Sequence, residues 1–323
     1  MEILSDFSLE QMGFRLTPLP GGSGEGKFHY AGCLDSAELE AVISMDDVFA
    51  EHSRNIAERL LHQSVRGNTE IMGIINMTPD SFYSGSRYLN DPDGMREVIL
   101  NSDIVDVGGE STRPGSEAVP IDVEIERVKG ALRLIRDYGD INISLDTMHP
   151  EVVEAALRYD INYINDVTGF RNEKMVKLAS DEHLGCIVMH MRGTPSTMMS
   201  FTRYDDIVSE VVEFLSSRAR TLLKAGIPLG NIVVDPGIGF AKDYAGNMDI
   251  LRNIRSFSFG FRTLVGHSRK SFIGTLIGDN RADRLAATLS VSLYLKNRGV
   301  DIIRVHDPLA HRHLFRTFSS LTE

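Results

Sequence analysis

Apolar residues recur along the chain in short runs from about residue 69 onward, and stretches with helical spacing of apolar residues lie between the runs. Eight runs have the length of buried strands, at residues 71–75, 103–107, 141–145, 162–165, 186–189, 231–235, 262–266 and 301–305. Helical spacing occurs at 91–102, 123–135, 151–157, 173–179, 204–225, 248–254 and 284–296. Eight strands that alternate with helices over the 255 residues from 69 to 323 predict a (β/α)8 TIM barrel. A doubly wound parallel sheet is the alternative, because that fold requires no particular number of strands.

The first 68 residues lack this rhythm and predict a small, separate N-terminal α/β extension. Residues 18–27 form a cluster of Pro, Gly and Ser that is typical of a loop. Residues 36–63 have the apolar spacing of one interrupted helix or two short ones. Gly67 and Asn68 mark the expected boundary. We therefore divide the chain into an extension over 1–68, of unknown role, and a barrel over 69–323.

Composition and charge narrow the class of protein. The chain has 323 residues, of which 42% are hydrophobic, and a formal net charge of −11, so it lacks the basic excess of nucleic-acid-binding proteins. No apolar run reaches the ~18 to 20 residues of a membrane span, and the N-terminus does not resemble a secretory signal. Two cysteines cannot form a disulfide framework, and Cys186 is expected to be a buried free thiol. These features favour a cytoplasmic protein that binds neither nucleic acid nor membranes.

Polar side chains follow the predicted strands at their carboxyl ends, which meet at one end of a barrel and form the active site in enzymes of that fold. The acids and amides are Asn76, Asp146, Asn165, Asp166 and Asp235, and the basic residues are Arg113, Arg269, Lys270, Arg304 and His306. The first group can bond a heterocycle rich in N–H groups, and the second suits an anion such as phosphate. A single such residue is more often a strand-end cap, so the hypothesis of a binding site depends on both groups occurring together at one end of the barrel.

Other candidate chemistry is weaker. His311 and His313 have no carboxylate at ligand spacing, and we expect them on a solvated helix face rather than at a metal ion. His190 and His306 are candidates for proton transfer or phosphate binding, or are simply hydrogen-bonded. The sequence has neither the GxSxG pattern of serine hydrolases nor the GxxxxGK[ST] phosphate-binding loop.

The sequence resembles the dihydropteroate synthase family in eight segments that follow the family's order. They are MGIINMTPDSF (72–82), DIVDVGGESTRPGS (103–116), ISLDT (143–147), INDV (164–167), VMHMRGTPSTM (188–198), DPGIGFAK (235–242), LVGHSRKSFIG (264–274) and IIRVHD (302–307). The resemblance implies a transferase of folate biosynthesis on a TIM barrel. Its reaction would condense 6-hydroxymethyl-7,8-dihydropterin diphosphate with p-aminobenzoate to 7,8-dihydropteroate and diphosphate. It also implies a magnesium cofactor, a homodimer and sensitivity to sulfonamides.

The resemblance assigns roles to individual residues. Asp146, Asn165 and Asp235 would bond the pterin, Asn76 would bind magnesium, and the loop of Thr112, Arg113 and Pro114 would shape the p-aminobenzoate site. The implied substrate-binding residues are Thr112, Pro114, Asp146, Asn165, Met189, Asp235, Phe240, Gly266, Lys270, Ser271, Arg304 and His306, and the implied catalytic residues are Asp146, Lys270 and Arg113. The implied mechanism is dissociative: Asp146 stabilises a pterin methyl cation, and basic groups with magnesium stabilise the departing diphosphate.

Two departures from the family pattern leave alternatives open. The first loop is DSFYSGS (80–86), where Ser84 replaces the usual acidic residue, and the 68-residue extension is longer than in many relatives. A pterin-binding methyltransferase is one alternative, although it has no use for a diphosphate site such as SRKS (268–271) would provide. A paralogue that binds pterin without catalysing the condensation is the other.

Overall fold

The computed structural model describes residues 69–77, 92–257 and 260–322. The predicted N-terminal extension over 1–68 and Ser84 in the first loop lie outside the described residues, so both statements about them stay predictions.

Eight parallel strands form a closed barrel in chain order. Their bounds are β1 Glu70–Asn76, β2 Ile104–Gly108, β3 Asn142–Asp146, β4 Tyr163–Asp166, β5 Gly185–Met189, β6 Ile232–Asp235, β7 Arg262–Val265 and β8 Ile302–Val305. Strand β1 pairs with both β2 and β8, which closes the sheet and excludes the doubly wound alternative. The predicted (β/α)8 TIM barrel is confirmed.

Helices surround the barrel between the strands. Within the described residues they are α1 Pro92–Asn101, α2 Ile121–Asp137, α3 Pro150–Ala156, α4 Glu173–Asp181, α5 Ile207–Lys224, α6 Tyr244–Arg252, α7 Ser271–Leu276, α8 Leu285–Asn297 and α9 Pro308–Thr322. Helix α6 begins four residues before the predicted start, because the Asp243 side chain accepts from the Gly246 N–H at 2.8 Å and caps it. None of these helices is both long and apolar enough to cross a bilayer.

The prediction for His311 is wrong. Its side chain is fully buried between α8 and α9, with Nε2 2.9 Å from the Ser292 hydroxyl and Nδ1 2.7 Å from the Asp307 carbonyl oxygen. His313 is exposed, as expected. The prediction for Cys186 is confirmed, since its thiol is free and buried in the core between the barrel and the helices.

An apolar layer fills the interior of the barrel below the site. It consists of Met72, Ile104, Ile187, Val233, Leu264 and Ile302, all buried. Since successive strand residues face opposite sides, the residues two positions further along face the same interior at the carboxyl ends of the strands. Those positions hold Ile74, Asp106, Met189, Asp235, Gly266 and Arg304. The alternation thus places three charged groups, Asp106, Asp235 and Arg304, above an apolar base.

Candidate active site

The first four strands contribute one level of residues at the carboxyl end of the barrel. Asn76, Gly108, Asp146 and Asn165 are in register with one another across β1 to β4. Gly108 has no side chain, and a Cβ atom there would lie 3.5 Å from both Asn76 Oδ1 and Asp146 Cβ. Asn76 and Asp146 therefore flank a gap inside the barrel.

Arg304 on β8 connects two acids across the barrel. Its Nε donates to Asp106 Oδ2 at 2.5 Å, and its Nη2 donates to Asp146 Oδ2 at 2.6 Å. Asp106 also accepts from Asn165 Nδ2 at 3.2 Å. Asp106 is missing from the residues predicted from the sequence. The sequence nevertheless contains the pattern that identifies it. Asp106 is an acid in the middle of an apolar strand, and because it is two residues before Gly108 it lies on the same face of the strand, inside the barrel.

Three acceptor atoms at this level or just below it are buried without a hydrogen-bond partner among the described residues: Oδ1 of Asp146 and of Asn165, and below them Oδ1 of Asp106. A buried polar atom that lacks a partner costs about 1–3 kcal/mol, so such a group needs a reason to persist. Burial raises the pKa of Asp146 to about 7, and the Arg304 charge opposes that rise. These atoms suit a ligand that brings N–H donors into the barrel.

Asp235 and Lys270 form the opposite part of the site. Asp235 Oδ1 accepts from the Gly237 N–H at 2.7 Å, and the Lys270 ammonium donates to the Ile238 carbonyl oxygen. Burial lowers the pKa of Lys270 to about 7, although the charge of Asp235 favours its protonated form. Gly266 leaves room here, since a Cβ atom would lie 3.8 Å from Arg304 and 3.9 Å from Lys270 Nζ.

An apolar surface lies beside these charges. Met189 and Phe240 belong to one cluster with Met191 and Met198, and the Lys270 ammonium lies 4.5 Å from the centre of the Phe240 ring. A flat heterocycle can stack on such a surface while its edge is bonded by the acids.

The comparisons with known proteins agree with this geometry. A model of the pterin binding enzyme family matches residues 72–306. Dihydropteroate synthase of Streptococcus pyogenes is 37% identical over 265 residues, which are 80% of this chain and 97% of that protein. The chain belongs to the dihydropteroate synthase family.

Further relatives extend the comparison. A probable bifunctional folylpolyglutamate synthase/dihydropteroate synthase of Haloferax volcanii is 41% identical over 244 residues, which are 74% of this chain but 29% of that protein. Dihydropteroate synthase of Thermus thermophilus in complex with 4-aminobenzoate has a TM-score of 0.70 and 39% identity, and covers 79% of this chain and 95% of its own. The same Thermus enzyme in complex with 6HMPPP has a TM-score of 0.68 and 36% identity, with 79% and 94% covered.

The basic residues of this dihydropteroate synthase family member divide into two groups. Arg269 does not join the site as expected from the sequence: it forms a two-point ion pair with Asp307, at 2.7 and 2.8 Å, and bonds Asp283 at 2.8 Å. That pair neutralises its charge and holds the β7–α7 loop to the start of α9. Arg269 is therefore a structural residue here, and the prediction of an anion-binding role for it is wrong.

Arg113 and His306 lie with Arg304. Burial lowers the pKa of His306 to about 3, with further contributions from Arg304 and Arg113, and its Nδ1 lies 3.1 Å from the Ser268 hydroxyl. His306 is therefore neutral near pH 7 and can contribute a hydrogen bond, but not a charge. Burial, followed by the Arg304 charge, lowers the pKa of Arg113.

The loop after β2 lies over the site and contacts the loop after β5. The Gly115 N–H donates to the Pro195 carbonyl oxygen at 3.0 Å, and the Ser116 hydroxyl bonds the Arg113 carbonyl oxygen at 2.8 Å. Thr112 is half-buried and Pro114 is exposed, as is Ser271 at the start of α7. Most of the predicted strand-end residues come together, but Arg269 does not, and the Asp166 side chain accepts from the Thr168 and Phe170 N–H groups of its own loop. Thr112, Pro114 and Ser271 lie at the exposed edge, and their individual roles stay predictions.

Proposed function

We propose that this chain condenses 6-hydroxymethyl-7,8-dihydropterin diphosphate with p-aminobenzoate, giving 7,8-dihydropteroate and diphosphate in folate biosynthesis. The observation that supports this most directly is that Asp146 Oδ1 and Asn165 Oδ1 are buried acceptor atoms without a hydrogen-bond partner among the described residues, because a pterin edge supplies the N–H donors they lack. The Thermus relatives bound to 4-aminobenzoate and to 6HMPPP match this chain over 79% of its length.

The pterin would enter with its aminopyrimidinone edge toward the apolar base of the barrel. Asp146, Asn165 and Asp235 would accept from its N–H groups, and Met189 and Phe240 would cover its faces. Each acid is buried, with about 4–5% of its surface exposed, so a ligand without matching donors would leave charged atoms unpaired. That penalty selects for pterins over other flat heterocycles.

The first chemical step breaks the bond between the pterin methylene carbon and the diphosphate oxygen, and the electron pair leaves with diphosphate. The Asp146 carboxylate would stabilise the resulting cation, while Arg304, Arg113 and a hydrogen bond from His306 would stabilise the diphosphate. The p-aminobenzoate nitrogen then forms the new bond to the methylene carbon and releases one proton. The protein contributes position and electrostatics rather than a covalent nucleophile.

Magnesium is proposed as the cofactor, with Asn76 as the protein ligand. The amide oxygen of Asn76 faces the gap above Gly108, next to Asp146, and a neutral oxygen donor suits an ion that takes most of its ligands from phosphates and water. When bound, the ion would neutralise charge on the departing diphosphate.

The decisive experiment is an assay of the purified full chain with both substrates and magnesium. We expect dihydropteroate and one diphosphate per turnover. Pterin binding without product after prolonged incubation would support the non-catalytic paralogue, and methyl transfer from a methylated folate would support the methyltransferase. The homodimer and the cytoplasmic location stay predictions.

A further inference from the structure

A cluster outside the pterin site contains two acids and one histidine. Glu110 lies in the β2–α2 loop, Glu124 in the first turn of α2, and His149 immediately before α3. One ligand atom of each, a carboxylate oxygen or an imidazole nitrogen, lies within 4.8 Å of the others. We propose that Glu110, Glu124 and His149 bind a divalent transition-metal ion of the zinc type.

The orientation of the two carboxylates supports this assignment. Glu110 Oε1 accepts from the Val119 N–H at 3.3 Å, and Glu124 Oε1 accepts from the Thr147 hydroxyl at 2.7 Å. In both groups the second oxygen, Oε2, faces His149 Nε2. Outer hydrogen bonds that fix one carboxylate oxygen and leave the other for a shared point are the usual support of metal ligands.

Burial provides the second, independent observation. Glu124 is fully buried, and its Oε2 has no hydrogen-bond partner among the described residues. Gly109 permits this burial, because a Cβ atom there would lie 2.8 Å from Glu124 Cγ. Burial also raises the pKa of Glu124, and the charge of Glu110 adds to that rise. A buried, unpaired carboxylate oxygen needs a cation or a donor.

The distances in the cluster are longer than those of a short charge-assisted hydrogen bond. His149 Nε2 lies 3.4 Å from Glu110 Oε2 and 3.9 Å from Glu124 Oε2. Charge-assisted N–H···O bonds are about 2.7–2.9 Å long, so neither contact is one. Two ligands of one tetrahedral zinc ion, each about 2.0–2.1 Å from the metal, stand roughly 3.3–3.4 Å apart. The distance from His149 to Glu110 fits that value. The distance from His149 to Glu124 would have to shorten by about half an ångström when the metal binds.

The negative charge of the cluster exceeds the positive charge beside it, which favours binding of a cation. Arg127, whose guanidinium donates to the Gly109 carbonyl oxygen at 2.9 Å, supplies one positive charge near Glu124. The carboxylates of Glu110 and Glu124 carry two negative charges against the one positive charge of Arg127. The His149 side chain is 27% exposed, which gives an ion a path from solvent. A bound ion would join the β2–α2 loop, which contains Arg113, to the start of α3.

The test uses the full chain, stripped with a chelator, and Zn²⁺ without substrates, measured by equilibrium dialysis and calorimetry. We expect one Zn²⁺ per chain, and an affinity at least ~100-fold weaker in Glu124→Gln and in His149→Gln, because loss of outer-shell partners alone costs 10–100-fold. His183→Gln and Glu182→Gln, both at exposed positions, are the matched controls and should bind as the wild type does. Bound Co²⁺ should give the intense visible absorption of a low-coordinate site.

Several outcomes would overturn the proposal. They are no retained Zn²⁺ in the wild-type chain, retention that neither site variant weakens, or equal weakening in the controls. If Glu124→Gln fails to fold, His149→Gln decides alone, because its side chain is partly exposed. None of these results depends on the condensation reaction, so the proposed function is tested separately.

Discussion

Arg304, which is partly exposed, and the buried Asp106 form an ion pair in the interior of the barrel, with 2.5 Å between Arg304 Nε and Asp106 Oδ2. The pair fixes the guanidinium so that a second donor reaches Asp146 at 2.6 Å. Arg304 therefore stands between the acid assigned to the pterin and the groups assigned to diphosphate. Its position depends on Asp106, which the sequence alone did not identify.

Asp106→Asn should lower kcat/KM for the pterin diphosphate about 10- to 100-fold, because a hydrogen bond between charged groups contributes ~1.5–3 kcal/mol. KM for p-aminobenzoate should change less than about twofold, since Asp106 lies below the pterin level and contacts Arg304 and Asn165. Steady-state kinetics with each substrate varied in turn would check this. Asp137→Asn, on the exposed side of α2, is the control and should behave as wild type. A rise in KM for p-aminobenzoate as large as the rise for the pterin diphosphate would contradict the positioning role.

Lys270→Ala should reduce turnover by about 100-fold or more while the melting temperature changes little. The ammonium group contacts the Ile238 carbonyl oxygen and the Phe240 ring rather than the main core, so its loss affects the site and not the fold. Lys174→Ala, whose side chain is 74% exposed, provides the comparison. Near-normal kinetics in Lys270→Ala would refute the catalytic assignment.

The pH dependence of kcat/KM should be a narrow bell centred near pH 7. Burial raises the pKa of Asp146 to about 7, so its carboxylate is lost as the pH falls below that value. Burial lowers the pKa of Lys270 to about 7, so its ammonium group is lost as the pH rises above it. Asp146 and Lys270 interact electrostatically, so the acid and alkaline limbs of the profile report apparent pKa values of the pair rather than of either residue. In Lys270→Arg the residual activity should keep the acid limb and lose the alkaline limb; an unchanged profile would argue against Lys270.

Ser292→Ala should lower the free energy of unfolding by about 2–4 kcal/mol, because two buried imidazoles each lose a partner at ~1–3 kcal/mol. The Ser292 hydroxyl lies 2.8 Å from His267 Nε2 and 2.9 Å from His311 Nε2. Ser290 is its counterpart on the exposed face of α8, and each hydroxyl lies within hydrogen-bond distance of the carbonyl oxygen four residues earlier. Ser290→Ala should stay within about 0.5 kcal/mol. Urea denaturation of both variants would measure the difference.

Sulfonamides should compete with p-aminobenzoate and not with the pterin diphosphate. They would occupy the space under the β2–α2 loop, so Arg113→Ala should weaken both p-aminobenzoate and the inhibitor. Inhibition constants measured at several p-aminobenzoate concentrations would show this pattern. Inhibition that additional p-aminobenzoate cannot reverse would place the drug elsewhere.

The sequence predicted the barrel well because each strand is buried on both faces and appears as a continuous apolar run. It located strand-end groups such as Asp146 and Asp235, since their position follows from where a run ends. It missed Asp106, which lies inside a run. It misassigned His311 and Arg269, because their partners Ser292 and Asp307 lie 19 and 38 residues away. Helical periodicity shows which residues share a face, but not which neighbour covers that face.

Gly108 leaves a space in the barrel that a side chain would fill. A methyl group at this position would meet no atom of the described residues nearer than 3.5 Å, which is ordinary van der Waals contact. Yet that methyl group would occupy the gap between Asn76 and Asp146, the two side chains proposed to bind magnesium and the pterin. The requirement for glycine at this position is therefore one of space rather than of backbone conformation, since the φ angle of Gly108 is not positive.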